Sequence, residues 1–460
     1  MWKGCIDQGF SIIPESEFFT PLQILEERRG SPELIHWKKP DYDDSAWERA
    51  AVDTTINAEF SPGNLSERVI PFLYRREKKF VSTRVIQPKS DAIDLKAFMR
   101  GGGPVTIPKG QRVIAEIDAG EEETGYPLAV KTKAKADDPD FEAIWDISER
   151  TLRRCMHETY EDYPFYEQLQ YAMDSRTQIL YRYAVSGDDR LARKCMDDFR
   201  RSQRADGLTN SSHPNYESNV IPGFSIYYIL MVYDHMMYFG DKTLLREHLP
   251  HIDRVLGFFH KHLTKEGYVG KVGGRNGRDR FWSFVDWTPE WKETSGIPPA
   301  VQVFAVLTGT TEGEQGKRAL LETIAKKEAY PQCSVAMAFY LFRVMEMTGL
   351  YEYSKEYWGI WRRMLAKHST TCIEDEVQER SDCHTWGALI LYELPSVILG
   401  VRPGEPGYKS ILIKPCPGYL KEAEGTVVTP GGMIYVHWHK EESGELLLDY
   451  QGPENVSVVR

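Results

Sequence analysis

The sequence predicts a helical domain, an α/α toroid or a solenoid, between two β-rich regions. From residue 141 onward, hydrophobic side chains such as Ile144, Ile147 and Leu152 recur at helical spacing. Gly-Asp pairs at 187–188 and 240–241, about fifty residues apart, each follow an aromatic-rich helical stretch. Gly can close one helix in the left-handed conformation and Asp can cap the next, so these pairs indicate helical hairpins joined by short turns.

The regions on either side of the helices carry strand-like patterns. Segments 81–86 and 113–117 are short and lie between Pro, Gly and Asp residues. Near the other end, Ile434, Val436 and Trp438 alternate with more polar residues after a Pro-Gly-Gly turn. We therefore expect a β-rich N-terminal region at 1–137, the helical toroid at 138–398 and a small antiparallel β-sandwich at 399–460.

The composition and the local sequence argue against several classes of function. Of the 460 residues, 41% are hydrophobic and 27% are charged, which is typical of a soluble globular protein. The net charge of -11 argues against a nucleic-acid partner, because phosphates are bound by clustered Lys and Arg. No apolar stretch reaches the length of a membrane span. The Gly-rich segment 100–104 lacks the Gly-Lys-Ser/Thr of a phosphate loop, and no cofactor is expected.

Cysteine usage predicts the compartment. The seven cysteines are scattered, odd in number and without CxxC spacing, which is typical of reduced thiols in a cytoplasmic protein. The N-terminus has no basic segment followed by an apolar run, so no signal peptide is expected. The oligomeric state stays open.

Three acidic residues make the segment 158–174 the most informative one. Pro164 suits the first turn of a helix, so Asp162 is predicted to precede the helix and Glu167 to lie in its first turns. Asp174 is two turns beyond Glu167, and Tyr171 is four residues beyond it, so we expect all three on one side. This acidic, aromatic face could bind a sugar, or it could be a solvated helix end favoured by the helix dipole.

Two further segments could carry chemistry. Glu374 lies between two predicted helices, where a loop could direct it into a central cavity. His384 follows it and could hydrogen bond a hydroxyl group, although a histidine at a helix start is more often a cap or a core contact. The segment 280–291 contains Trp282, Asp286 and Trp287; its tryptophans could stack on a sugar ring or pack against helix ends.

Together these motifs resemble the bacterial α-L-rhamnosidases of glycoside hydrolase family 78. The likeness covers residues 141–408, and its motifs occur in the family's order. They are Asp162-x-Pro164-x-x-Glu167-Gln168 with Asp174, Thr370-Thr371-x-x-Glu374, Ser381-x-x-His384 with Gly387-Ala388, and Pro406-Gly407-Tyr408. The segment 42–47 also resembles the family's upstream β-sandwich modules.

The resemblance implies a six-hairpin α/α toroid and an inverting glycoside hydrolase that releases terminal α-L-rhamnose. It implies that Glu167 is the general acid and Glu374 the general base that activates water. The residues that it implies for substrate binding are Asp162, Asp174, Tyr171, Trp282, Asp286, Trp287 and His384. The expected partner is a rhamnose-containing carbohydrate, and no metal is expected.

The sequence departs from the family in several places. The family commonly has a tryptophan near Tyr171 and an aromatic residue at Ile373, so the sugar preference could differ. The stretches near 126–140 and 292–301 are also shorter than the family leads us to expect, either through deletion or because segments are missing.

Three alternatives stay open from the sequence. The first is a toroid glycosidase acting on an α-glucoside or a β-glucuronide. The second is a non-catalytic carbohydrate-binding protein, although a lectin would need neither Glu167 nor Glu374. The third is a metal site at His437 and His439, which share a strand face but supply too few ligands alone.

Overall fold

The chain is described by a computed structural model. The structure describes residues 3–5, 8–12, 26–28, 34, 36–49, 82–87, 113–118, 132–165, 167–215, 218–267, 269, 299–311, 313–325, 333–376, 381–453 and 457–459. The predicted pocket residues Trp282, Asp286 and Trp287 lie outside these ranges.

Helices occupy the middle of the chain, as the sequence predicts. They are α1 (Phe141–Arg154), α2 (Ala172–Ser186), α3 (Arg190–Arg201), α4 (Phe224–Phe239), α5 (Lys242–Lys261), α6 (Pro299–Leu307), α7 (Gly313–Ala325), α8 (Val335–Thr348), α9 (Ser354–Tyr357), α10 (Gly359–Ala366) and α11 (Ile390–Tyr392). Helix α11 continues into a π-helical stretch, Glu393–Ile398.

Burial separates these helices into two kinds. Helices α2 and α8 are buried on nearly every side, whereas α3 and α5 bury one apolar face. A helix that is buried all round lies inside a larger assembly, and a helix with one apolar face covers it from outside. The described helices therefore form hairpins in which an inner helix is followed by an outer one, which fits the predicted helical domain.

Glycines end three of the helices, at the predicted positions 187 and 240 and also at 349. Gly187, Gly240 and Gly349 all have left-handed backbones, with φ of 63°, 65° and 70°. The Asp241 side chain caps α5 by accepting from the backbone N–H groups of residues 243 and 244. Asp188 lies one residue before the cap position of α3, and its carboxylate accepts the N–H of residue 190 at 3.1 Å.

The C-terminal region contains two sheets. The strands are β8 (Val401–Pro403), β9 (Ser410–Ile413), β10 (Glu422–Thr429), β11 (Gly432–Lys440), β12 (Leu446–Gln451) and β13 (Ser457–Val459). Strands β10, β11 and β12 pair antiparallel, whereas β13 runs parallel to β9. The prediction of an antiparallel sandwich is therefore wrong for that one pair, because the chain crosses from one sheet to the other before β13.

One strand from before the helices belongs to the C-terminal sheet. Strand β7 (Lys133–Ala136) pairs antiparallel with β10 and completes the order β12-β11-β10-β7. The chain enters α1 a few residues later, after Asp137, which accepts the N–H of residue 421 at 3.0 Å. A Cβ atom on Gly425 would lie 2.6 Å from the Lys133 carbonyl oxygen, so this pairing needs glycine at position 425.

The described N-terminal residues form separate strand pairs. Strand β1 (Lys3–Gly4) pairs with β4 (Glu48–Arg49), and β2 (Phe10–Ile12) pairs with β3 (Glu26–Arg28). Strands β5 (Ser82–Gln87) and β6 (Ile114–Asp118) correspond to the two predicted strand segments and pair antiparallel. A complete N-terminal sandwich remains a prediction.

Two further properties concern the described residues. None of their helices combines the length and apolar character needed to cross a membrane. All seven cysteines are among the described residues; none forms a disulfide, and five are buried.

Candidate active site

The predicted acidic segment is a closed loop before α2, and the helix begins at Ala172 instead of near Pro164. The Asp162 carboxylate accepts the N–H of Leu169 at 3.0 Å, and the Asp162 N–H donates to the Leu169 carbonyl oxygen at 2.9 Å. Gln168 has a left-handed backbone, with φ of 54°. A helix cannot pass through this conformation, so the predicted helical alignment of Glu167 with Asp174 is wrong.

The carboxyl groups nevertheless converge. Asp162 and Asp174 are 2% and 4% exposed. Burial raises the pKa of Asp162 well above its usual range, and a hydrogen bond with Glu167 raises it further. Burial also raises the pKa of Asp174, with added effects from the negative charges of Glu374 and Glu167. Asp174 is therefore close enough to Glu167 and Glu374, the two predicted catalytic residues, for their charges to affect its pKa.

The loop that carries Glu374 is fixed by its backbone. The Glu374 N–H donates to the Ser381 carbonyl oxygen at 2.9 Å, and the Glu374 carbonyl oxygen accepts the Trp386 indole N–H at 3.1 Å. The His384 N–H donates to the Cys372 carbonyl oxygen at 2.7 Å. These bonds hold the two ends of the loop together, so the 8% exposed Glu374 has a defined position.

His384 joins the carboxylate cluster from this second loop. Its Nε2 atom is 3.7 Å from an Asp174 carboxylate oxygen, and its ring stacks on Trp386 with centroids 3.9 Å apart. His384 is 2% exposed and precedes a short 3-10 helix, Thr385–Gly387, without capping it through its side chain. The contact with Asp174 supports a place in the site over a purely capping role.

The buried thiol of Cys155 contacts the backbone of both loops. The Cys155 Sγ lies 3.8 Å from the Asp162 carbonyl oxygen and 3.4 Å from the Cys383 carbonyl oxygen. Beside it, the Tyr163 hydroxyl donates to the Asp382 carboxylate at 3.0 Å. The segment before α2 and the segment before α11 therefore contact the same cysteine side chain and also contact each other.

A series of aromatic ring contacts begins at Tyr171, three residues before Asp174. Tyr171 immediately precedes α2 and makes an edge contact with Phe224 at 6.3 Å between centroids. Phe224 contacts Tyr227 at 5.9 Å, and Tyr227 contacts Tyr340 at 6.1 Å. Flat apolar faces beside carboxylates are suited to a sugar, which carries C–H groups and hydroxyl groups on the same ring.

Two parts of this arrangement could not be predicted from the sequence. Trp386 was visible within its motif but carried no signal that its indole would reach Glu374. Tyr227 lies in an ordinary helical pattern on α4, and its contacts with Phe224 and Tyr340 depend partly on how the helices pack together. No periodicity could have indicated it.

The described residues offer no group of three or more His, Cys, Asp or Glu side chains that could hold a metal ion. His437 and His439 do lie side by side, with ring centroids 5.7 Å apart. The His437 ring nitrogen is 3.0 Å from the Glu422 carboxylate, which accounts for its polar contact without a metal.

Helical hairpins with carboxyl groups gathered beside them fit the six-hairpin glycosidase class, which a family model supports. The sequence profile of the bacterial α-L-rhamnosidase six-hairpin glycosidase domain matches residues 131–306. The profile of the bacterial α-L-rhamnosidase C-terminal domain matches residues 400–459. Together the two matches span just over half of the sequence, and the chain belongs to the bacterial α-L-rhamnosidase family.

Solved structures agree with this fold. A family 78 rhamnosidase of Bacillus sp. GL1 is 24% identical, with a TM-score of 0.65, over 73% of this chain and 43% of its own. An α-L-rhamnosidase of Streptomyces avermitilis, complexed with L-rhamnose, is 15% identical, with a TM-score of 0.62, over 76% of this chain and 42% of its own. The chain thus spans less than half the length of these relatives. No curated protein sequence is similar enough to count as a match.

Proposed function

We propose that the chain is an inverting α-L-rhamnosidase in which Glu167 is the general acid and Glu374 the general base. The observation that carries this proposal is the position of Asp174, whose pKa is raised by burial and then by the charges of Glu374 and Glu167. A group that experiences both charges lies near both loops, and a sugar ring bound beside it would meet carboxyl groups from each.

The reaction divides the two glutamates by role. Glu167 gives its proton to the glycosidic oxygen as the bond to the anomeric carbon breaks. Glu374 takes a proton from a water molecule that attacks that carbon from the opposite face, and the released sugar has inverted configuration. Inversion requires the two carboxyl groups to be roughly 6.5–9.5 Å apart, because the water must fit between the base and the sugar.

The buried aspartates suit substrate binding. Asp162 and Asp174 lie beside the acid and base, and carboxylates accept hydrogen bonds from sugar hydroxyls. His384, held against Asp174 and Trp386, offers a ring nitrogen to a further hydroxyl. Tyr171 supplies a flat face nearby, and we include Trp282, Asp286 and Trp287 as proposed pocket residues from the family resemblance.

The sugar assignment rests on the family. The Streptomyces avermitilis relative binds L-rhamnose, a 6-deoxy sugar whose C6 methyl group needs an apolar wall. The aromatic rings at Tyr171, Phe224 and Tyr227 could provide that wall. An α-glucoside or a β-glucuronide would place a hydroxymethyl or a carboxylate there instead, and a carboxylate would meet the acidic cluster unfavourably.

The test compares turnover of nitrophenyl α-L-rhamnopyranoside, α-D-glucopyranoside and β-D-glucuronide by wild type, Glu167→Gln and Glu374→Gln. We expect rhamnoside turnover that falls by about 10²–10⁴-fold in both variants. Glu376→Gln is the matched control, because Glu376 is in the same loop but pairs outward with Arg363 at 2.7 Å. NMR of the first sugar released would show the β-anomer for an inverting enzyme.

Each result is informative. Turnover of another glycoside alone would remove the rhamnose assignment while keeping the acid and base. Rhamnoside turnover that survives in either Gln variant would remove that glutamate from its role. A folded protein that binds L-rhamnose without turning over any of the three glycosides would be a carbohydrate-binding protein.

A further inference from the structure

Helix α1 contacts both of the loops that carry the proposed catalytic glutamates. The base loop is the described part of residues 370–384 and carries Glu374, and the acid loop is the described part of residues 158–171 and carries Glu167. Neither glutamate is on α1, and the proposed reaction does not use the helix. Its end nevertheless binds the backbone of both loops through buried polar groups.

The base loop is tied to α1 by the Thr151 side chain. The Cys372 N–H donates to the Thr151 hydroxyl oxygen at 2.7 Å, and this hydroxyl donates its own proton to the Ile147 carbonyl oxygen at 2.6 Å. Because its proton is used within the helix, the Thr151 oxygen is left as an acceptor for the loop. Thr151 and Cys372 are both 0% exposed, so bulk water cannot replace either bond.

The bond reaches the proposed base through a short stretch of backbone. Cys372 is two residues before Glu374, and its carbonyl oxygen accepts the His384 N–H at 2.7 Å. Both polar backbone groups of Cys372 are therefore held, one by α1 and the other by the end of the base loop. The bonds of Glu374 itself, to the Ser381 carbonyl oxygen and from the Trp386 indole, shape the loop without tying it to α1.

Two other contacts between the base loop and α1 are weaker. The Arg150 guanidinium donates to the Thr370 carbonyl oxygen at 2.7 Å, but this bond is exposed and water competes for both partners. The Ser148 hydroxyl lies 3.4 Å from the Cys372 Sγ atom, and a thiol is a weak hydrogen-bonding group. The bond to Thr151 is therefore a stronger, buried attachment of this loop to the helix.

The acid loop is attached four residues further along the same chain segment. The Glu161 N–H donates to the carbonyl oxygen of Cys155, the residue at the C-terminal end of α1, at 2.8 Å. Four residues advance a helix by about 6 Å. Both loops are thus placed against one rigid element, and an inverting enzyme needs its two carboxyl groups at a defined separation.

We infer that Thr151 is a positioning residue for the proposed general base: its hydroxyl holds Cys372 against α1 and so fixes where Glu374 lies relative to the acid loop. The inference rests on the proposed function for the role of Glu374. A methyl group in place of the hydroxyl would leave the buried Cys372 N–H without its acceptor, which is unfavourable enough to move the segment. A displacement of about 1 Å in a catalytic site can lower turnover by about 10²-fold.

The experiment compares Thr151→Val, which keeps the shape of threonine without its hydroxyl, with Thr151→Ser, which keeps the hydroxyl. The substrate is 2,4-dinitrophenyl α-L-rhamnoside, because its good leaving group keeps slow variants measurable. We expect Thr151→Val to lower kcat at least about tenfold with KM changed by less than about threefold, and Thr151→Ser to retain most of the activity. A role in folding alone would lower the melting temperature without separating kcat from KM.

Double variants assign the effect to the base. In the Glu374→Gln background, Thr151→Val should cause no further loss of kcat, because the group that it positions is already absent. In the Glu167→Gln background the loss should persist, since this substrate needs little acid assistance and Glu374 still activates water.

The matched control is Thr348→Val. The Thr348 hydroxyl also donates to the carbonyl oxygen four residues earlier in its helix, that of Val344 at 2.7 Å, but this helix is α8. The control should leave kcat within about twofold of wild type, even if it lowers the melting temperature.

Four results would overturn the inference. They are a kcat of Thr151→Val within about twofold of wild type, equal losses in Thr151→Val and Thr151→Ser, an undiminished loss in the Glu374→Gln background, or the same loss in Thr348→Val. Failure of the proposed function would be seen separately, as absent wild-type turnover or as full activity of Glu374→Gln. Hydrogen exchange then decides: faster exchange of the backbone N–H groups at 371–376 in Thr151→Val, but not in Thr151→Ser, supports the attachment of the base loop by Thr151, and unchanged exchange removes it.

Discussion

The Trp386 indole N–H donates to the Glu374 carbonyl oxygen at 3.1 Å, while the Trp386 ring stacks on His384. One side chain thus fixes the backbone of the proposed base and the orientation of a proposed sugar ligand. Replacing Trp386 by Phe keeps an aromatic ring against His384 and removes the donor.

We expect Trp386→Phe to lower kcat about tenfold, because Glu374 would lose one of the bonds that define its position. Steady-state kinetics on the rhamnoside would measure this. Trp361→Phe is the control, since its indole donates to the Gly387 carbonyl oxygen at 2.6 Å and should affect melting temperature more than kcat. Unchanged kcat in Trp386→Phe would show that the Glu374 loop is held without this bond.

Asp174→Asn should stabilise the fold at neutral pH while removing activity. The pKa of Asp174 is raised, so the folded state takes up protons that the unfolded state has released. That stability is present below the unfolded pKa near 4 and is lost as pH rises through the folded pKa. Differential scanning calorimetry at pH 7 and pH 4 should therefore find a gain in melting temperature for Asp174→Asn that shrinks at the lower pH.

Asp188 supplies the opposite case for comparison. Although burial opposes it, hydrogen bonds and charges from Arg190 and Arg182 lower the pKa of Asp188. Asp188→Asn should therefore lower the melting temperature at pH 7 and nearly as much at pH 4, and its effect should shrink only as the pH falls further, through the lowered folded pKa. The same sign for both variants would contradict the electrostatic interpretation of the Asp174 result.

Acid should destabilise the protein through His235. Burial lowers the pKa of His235 to about 4, although the charge of Asp189 opposes this. The His235 Nδ1 atom shares a hydrogen bond of 2.7 Å with the Tyr183 hydroxyl. The unfolded state therefore takes up a proton near pH 6.5 that the folded state resists, and stability falls between about pH 6.5 and 4 by up to about 3 kcal/mol. Urea unfolding across this range would measure the slope. His235→Gln should flatten it, and a slope as steep as wild type would assign the effect to other groups such as His248.

Gly425→Ala should weaken the pairing of β7 with β10. A Cβ at this position would lie 2.6 Å from the Lys133 carbonyl oxygen and 2.7 Å from the Ala134 Cα, and backbone cannot give way cheaply. We expect a loss of about 1–3 kcal/mol in thermal or urea unfolding. Gly452→Ala is the control, because its Cβ would meet Ile434 only at 3.5 Å. Equal effects at both positions would mean that the glycine at 425 is not required by close approach.

Local features of the fold were readable from the sequence. The left-handed glycines at 187 and 240 end helices because the adjacent turn alone decides their conformation. The sequence predicts the start of α2 too early, near Pro164. Proline suits the first turn of a helix, but it occurs equally well in a loop. The competing signal was the Asp162 side chain, which bonds the N–H of Leu169 and closes the loop before the helix begins.

Contacts between segments that are distant in the chain could not be predicted from the sequence. The family motif alone indicates the carboxylates as site residues, whereas spacing predicts Glu167 and Asp174 on one helix face, which the loop before α2 contradicts. The bonds from Arg176 to Tyr340 and from Trp386 to Glu374 join elements whose relative placement is set by packing. The membership of β7 in the C-terminal sheet is of the same kind, since its partner strand lies beyond the entire helical region.

The pairing of β7 with β10 sets an order of events during synthesis. The Glu422 N–H donates to Asp137 across 285 residues of chain. At about 5–20 residues per second, a ribosome needs roughly 15–60 s to make the intervening segment, so β7 emerges long before its partner exists. The nascent chain therefore carries an unpaired strand edge through the assembly of its helices, and a fragment ending before β10 would expose that edge permanently.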